Sequence, residues 1–226
     1  PAGPEPAGPE PADLDPSGGS AAAPAGSRLR LGVFGGTFDP PHLGHLALAA
    51  EACDQLNLAR VLWVLTPSPP HKADRPVSPL ALRLRLLQAA VQDNPAFELS
   101  RVDIDRPPPH YAVDTLRFLR ARYPGAALVY LMGGDSLADL PGWHAPGEFL
   151  AQADQVGVMC RAGEVIELEA LEAQLPGLQA KLRFVDAPML EIASSDIRRR
   201  IRERRSYRYF LSGPVLQLIE QMQLYR

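Results

Sequence analysis

The sequence predicts an α/β domain with a parallel sheet. Three observations carry that expectation. The 226 residues are 46% hydrophobic and 22% charged, enough for one or two cores. From Leu29 onward short apolar runs alternate with longer helix-like segments, as βαβ units require. No repeat of 20 to 50 residues competes with this reading.

The chain before Leu29 belongs to a different class. In residues 1–27, 19 positions are Pro, Gly or Ala, and Leu14 is the only large apolar side chain. Such a segment buries too little surface to offset its ordering entropy and is expected to be a disordered acidic tail, with Glu5, Glu10, Asp13 and Asp15 as its charges. Residues 28–226 are expected to form one domain, ending in a helical subregion at about 194–226.

Taken in order, the expected strands are Leu29–Phe34, Val61–Leu65, Phe97–Val102, Leu128–Met132, Gln155–Met159 and Leu182–Val185. The first helix is read over Leu43–Leu56, rich in Leu and Ala. Ser78 as N-cap and Pro79 at the first helical position open a second, running to about Asp93. Tyr111–Arg122 forms the third, ended by Pro124-Gly125. Pro141, Pro146 and Gly147 break the next stretch into loop and short helix, and helices near Ser195–Arg204 and Pro214–Gln223 complete the chain.

Composition also excludes some functions. A net charge of -3 does not suit a strongly basic nucleic-acid binder, and no run reaches the roughly 18 apolar residues of a membrane span. No secretory signal is seen, so a cytoplasmic location is expected, without nucleic-acid or membrane partners. Cys53 and Cys160 form no CxxC pair and read as inert core thiols of a reducing compartment.

The chemistry concentrates after the first strand, at Gly35-Gly36-Thr37-Phe38-Asp39-Pro40-Pro41-His42-Leu43-Gly44-His45. A glycine pair lets backbone N–H groups approach a ligand, and the helix that follows presents a partial positive charge to phosphate. The spacing is neither GxGxxG nor GxxxxGK[ST]. His42 and His45, three apart, share one face of the first helical turn and can donate to phosphate oxygens in a phosphoryl-transfer transition state. Read alone, the pair also fits a helix cap beside a satisfied surface histidine. Zinc lacks a suitably placed third ligand.

These residues resemble the HxGH signature of the nucleotidyltransferase superfamily, in the GGTFDPxHxGH form of the bacterial nicotinate-nucleotide adenylyltransferases. The likeness extends to Pro69-Pro70-His71-Lys72 (PPHK), to Tyr111 with Asp114-Thr115-Leu116 (SYTxDTL), and to Gly133-Gly134-Asp135-Ser136-Leu137 with Trp143 (GxDxL…W). It continues through Ile192–Arg198 (ISSTxIR) and Leu224-Tyr225-Arg226, covering nearly all of residues 29–226. It implies a Rossmann-like open, mostly parallel sheet with helices on both faces, ATP and nicotinate mononucleotide as substrates, and Mg²⁺ carried mainly by the ATP phosphates. A homo-oligomer is compatible with it.

The resemblance also implies roles. His42, His45 and Arg198 are the expected catalytic residues. Gly35, Gly36, Thr37, Phe38, Gly133, Asp135, Arg161, Ser194, Ser195 and Lys72 are expected at ATP and its phosphates. Tyr111, Ala112, Trp143 and His144 are expected at the nicotinate nucleotide, Trp143 stacking on the pyridine while backbone N–H groups hold its carboxylate. Fold logic supports the grouping, because in such sheets the loops after strands one and four flank the ligand crevice. Plainer roles stand beside these: Asp135 as a helix N-cap, Trp143 as a core residue, Lys72 as a solvated lysine. The chain departs from the family pattern at Ala112, where Thr is usual, at Ala162 (Pro) and at Ala193 (Ser). Seven arginines between Arg198 and Arg208 read mostly as a solvated helix face, with an RNA-binding patch as the rival. Other rivals are pantetheine-phosphate adenylyltransferase, glycerol-phosphate cytidylyltransferase and a silent nucleotide-binding regulator.

Overall fold

The computed structural model describes residues 28–68, 77–159, 166–188, 190 and 192–226. The expected acidic tail, Lys72, Cys160 and Arg161 lie outside the described residues.

Six parallel strands form one sheet in the order β3-β2-β1-β4-β5-β6. They are β1 (Arg30–Gly36), β2 (Arg60–Leu65), β3 (Phe97–Ser100), β4 (Ala127–Gly133), β5 (Gln155–Met159) and β6 (Leu182–Phe184). Parallel strands buried on both faces need apolar side chains at consecutive positions, and β2 and β4 supply them. Leu62, Val64, Leu128, Tyr130 and Met132 point to one face. Val61, Trp63, Leu65, Val129 and Leu131 point to the other.

The helices divide between those faces. α1 (Leu43–Gln55) and α2 (Leu80–Val91) cover the second through Leu48, Ala49, Ala52 and Leu87. The first is covered by α3 (Ala112–Arg122), α4 (Gly134–Ala138), α5 (Pro146–Gln152), α6 (Leu168–Gln174) and α7 (Leu178–Lys181). Finally α8 (Ser194–Arg202) and α9 (Gly213–Gln221) pack Ile197, Ile201, Val215, Leu216 and Ile219 against Leu86 of α2. With Ile197 and Ile201 turned inward, three of the seven arginines of this segment form local ion pairs: Arg199 with Asp196, Arg205 with Glu203, Arg208 with Glu220.

Several local expectations change. Ser78 does not cap α2; Pro79 is the N-cap, and the helix ends at Val91. The reason is competition for its side chain, which hydrogen-bonds to Tyr225, while its N–H donates to Asp39 (3.1 Å) and its carbonyl accepts from Arg83 (2.9 Å). The third strand stops at Ser100, two residues early, where a turn closes between Arg101 and Asp105. The short helices α6 and α7, absent from the sequence reading, hold together because the Glu172 carboxylate accepts the N–H groups of Gly177 (2.7 Å) and Gln179 (2.8 Å). Those N–H groups also hold the Glu172 carboxyl below its usual range. On α1, burial first and Asp54 second push the Cys53 thiol up to about 11, which suits an inert thiol.

Candidate active site

The strand order reverses between β1 and β4, and the carboxyl ends of both open onto a cleft of about 1150 Å³. The lip contributed by β1 is shaped by a residue without a side chain. A Cβ on Gly36 would stand 2.7 Å from the Phe38 ring, so only glycine lets the chain fold back this tightly. Phe38 itself has φ 46° and drives its ring inward against Phe34, Trp63 and His45. Its expected contribution to the phosphate loop is therefore through backbone, the ring being core.

His42 is the N-cap residue of α1 and is nearly buried, at 7% exposure. Its backbone N–H donates to Nδ1 of His45 at 3.2 Å, and the two rings stack with centroids 3.6 Å apart. An Nδ1 that accepts leaves Nε2 of His45 to carry the proton, and so to donate to an anion. Gly44 permits the stack, since a Cβ there would meet the His42 ring at 3.2 Å.

The opposite lip is Gly133 and α4. Gly133, not Asp135, is the N-cap of α4, which sets aside the capping role considered for Asp135. The Asp135 carboxylate instead accepts the N–H of Ser136 at 2.8 Å. Over the first lip lies the start of α8. Ser194 donates its hydroxyl to the Pro40 carbonyl (2.8 Å) and Arg198 donates to the Asp39 carbonyl (2.6 Å), while Ser195 is exposed on the cleft. Ser194 thus braces the loop.

The far side of the cleft is aromatic. Tyr111, the N-cap residue of α3, stacks on His144 at 4.0 Å. Trp143 is half-buried, its edge against Phe149 (5.4 Å) and Tyr130 (6.0 Å). It is both a core residue and a cleft residue, so the two sequence readings describe one side chain.

Sequence reasoning missed two buried charge clusters that hold these walls. Beside α3, Oδ1 of Asp103 accepts from Arg106 (3.1 Å) and from the Thr115 hydroxyl (2.8 Å). Arg106 also donates to the carbonyls of Pro109 (2.7 Å) and Tyr111 (3.3 Å), and the buried His110 ring meets the Arg106 carbonyl. Burial, then Asp103, pushes the Tyr130 phenol up, so it stays protonated. The only trace in the sequence was an acid and an arginine three apart before the Tyr111 segment.

Under the first lip, Arg83 is 1% exposed and donates to four carbonyls: Thr37 (3.1 Å), Thr66 (2.9 Å), Pro67 (2.7 Å) and Ser78 (2.9 Å). Burial lowers its pKa, opposed by Asp39 and then Tyr225. Its position within the run Leu80–Leu87 reads as core, and a charged residue there is the one signal that could have exposed it.

Every site residue expected from the sequence and described in the structure lines this one cleft. Among the described residues, no three His, Cys, Asp or Glu side chains converge on a cation site.

Comparisons with known proteins agree with this geometry. The cytidylyltransferase-like family pattern matches residues 33–200. A probable nicotinate-nucleotide adenylyltransferase of Thermomicrobium roseum is 47% identical, over 87% of this chain and 92% of its own. One from Thermus thermophilus is 41% identical, over 88% of this chain and 100% of its own. In fold, the chain is similar to Plasmodium falciparum nicotinic acid mononucleotide adenylyltransferase complexed with NaAD, with a TM-score of 0.73 at 15% identity, covering 87% of this chain and 97% of that one. With nearly half its residues identical to the first relative across almost the whole domain, the chain belongs to the nicotinate-nucleotide adenylyltransferases of the cytidylyltransferase-like family.

Proposed function

We propose that the protein transfers the adenylyl group of ATP to nicotinate mononucleotide, giving nicotinate adenine dinucleotide and pyrophosphate. The observation that carries this reading is the meeting of the stacked His42/His45 pair with Gly133–Asp135 and Arg198 at the reversal of strand order.

The 5′-phosphate oxygen of the mononucleotide attacks the α-phosphorus of ATP in line. One P–O bond forms, the bond to the bridging oxygen breaks, and pyrophosphate leaves. The nucleophile is already an anion, so no general base is required and no covalent enzyme intermediate arises. What remains for the protein is positioning and charge stabilisation.

His42, His45 and the N-terminus of α1 serve the α-phosphate and its bridging oxygens. Arg198 and Ser195 receive the leaving pyrophosphate, with Gly35–Phe38 presenting backbone at the phosphates. Asp135 accepts from the ribose. Trp143 stacks on the pyridine, and backbone N–H groups near Tyr111-Ala112 and Trp143-His144 bind its carboxylate. Mg²⁺ fits as a cation held by triphosphate oxygens and water, where it offsets phosphate charge.

The test supplies ATP and Mg²⁺ with nicotinate mononucleotide, nicotinamide mononucleotide or phosphopantetheine in parallel, following pyrophosphate and dinucleotide. Preference for the nicotinate form supports the full reading. Equal use of both pyridine nucleotides keeps the reaction and overturns the selectivity, a result to which Ala112, lacking a hydroxyl, would be the first suspect. No pyrophosphate from any of the three overturns the reaction.

A further inference from the structure

Asp39 stands between the glycine turn and His42, and is only 4% exposed. Both oxygens of its carboxylate are engaged. Oδ1 accepts the hydroxyl of Tyr225 at 2.7 Å, across 186 residues of sequence, and Oδ2 accepts the N–H of Ser78 at 3.1 Å. Its own carbonyl accepts from Arg198 at 2.6 Å. One residue therefore joins the loop carrying the histidine pair, the entry to α2, the arginine of α8 and the segment after α9.

Tyr225 is not a lining residue of the cleft. Its ring packs against the cluster formed by α2, α8 and α9. Both ends of its hydrogen bond belong to segments in costly backbone conformations: Phe38, the neighbour of Asp39, has φ 46°, and Tyr225 has φ 65°. Non-glycine residues hold such angles only where surrounding contacts over-determine them. Burial, then the Asp39 carboxylate, pushes the Tyr225 phenol up, so it remains the donor.

We propose that Tyr225 is a positioning residue for adenylyl transfer, setting the His42/His45 loop and Arg198 in register through Asp39 without touching either substrate. The idea rests on the reaction assigned above. The histidines at the α-phosphate and Arg198 at the leaving pyrophosphate must hold one fixed spacing along the bond that breaks, and Asp39 is the residue through which both are held. A hydroxyl removed behind it lets the loop and the arginine shift relative to one another.

The experiment compares wild type with Tyr225→Phe, which keeps the ring and deletes only the hydroxyl, and with Tyr225→Leu, which deletes the ring packing as well. For Tyr225→Phe, kcat should fall about tenfold, KM for ATP and for nicotinate mononucleotide should stay within about twofold, and the thermal midpoint should change little. Amide hydrogen exchange in residues 37–42 should quicken about tenfold while β1 and β4 keep their protection. Tyr225→Leu should lose thermal stability in addition. Wild-type kcat in Tyr225→Phe overturns the proposal, and so does unchanged loop exchange. If wild type makes no dinucleotide, the reaction assignment fails separately, and the exchange comparison still decides whether Tyr225 holds the loop.

Discussion

The two walls of the cleft are built on different plans. The wall proposed for phosphate draws its supports from far along the chain, with Arg83, Ser78, Arg198 and Tyr225 all converging on a short loop. The aromatic wall, proposed for the pyridine, is supported by neighbours. Asp103, Arg106, His110 and Thr115 lie within 12 residues of one another, and aromatic stacking completes it. Long-range charged hydrogen bonds fix atoms to fractions of an ångström, which in-line chemistry demands. Ring stacking tolerates more, which suffices for binding a flat base.

The contrast predicts that damage to the phosphate wall appears in kcat and damage to the pyridine wall in KM. The largest effect is expected from His42→Ala and His45→Ala, each lowering kcat by about 10²-fold or more with circular dichroism unchanged. Turnover near wild type in both would remove the histidines from the mechanism. Arg83→Met comes next, because it strips donors from four buried carbonyls; a loss of about 3 kcal/mol in urea unfolding is expected, together with reduced kcat. Arg83→Lys should rescue little, since one ammonium cannot reach all four acceptors.

Trp143→Ala should raise KM for the pyridine nucleotide about tenfold and leave KM for ATP nearly unchanged. An equal rise in both would erase the distinction between the walls. The smallest change is expected from Thr115→Val, which removes one of two hydrogen bonds on Asp103 at nearly constant volume: about 1 kcal/mol of stability, with a shift in KM for the pyridine nucleotide of only about twofold.

The legibility of these features in the sequence follows their range. The strands were readable because each carries its own apolar run, and the crevice was placed by strand order once two motifs were assigned to the loops after strands one and four. Boundaries set by competition were not readable. Ser78 has the composition of a cap, yet its side chain is taken by Tyr225, 147 residues along the chain. Asp135 likewise sits one residue inside the helix it was considered to cap. The Asp39–Tyr225 bond leaves no periodic trace at all, because a contact across 186 residues depends on the whole fold being in place. Arg83 was visible only as an anomaly, a charge on a face otherwise built of leucine.

The central position of β1 has a consequence for the order of events during synthesis. β1 precedes the other five strands of the sheet in the chain, yet it lies between β2 and β4, with Arg30 opposite Ala127. Nearly a hundred residues must follow it before its second edge can be covered. At ribosomal speeds of about 5–20 residues per second, that edge waits roughly 5 to 20 seconds. For that interval a strand with both edges built for pairing has one of them open to any passing backbone. The nascent chain is therefore most vulnerable to aggregation between the emergence of β2 and that of β4, and a ribosome pause in that window should lower soluble yield more than one placed after β4.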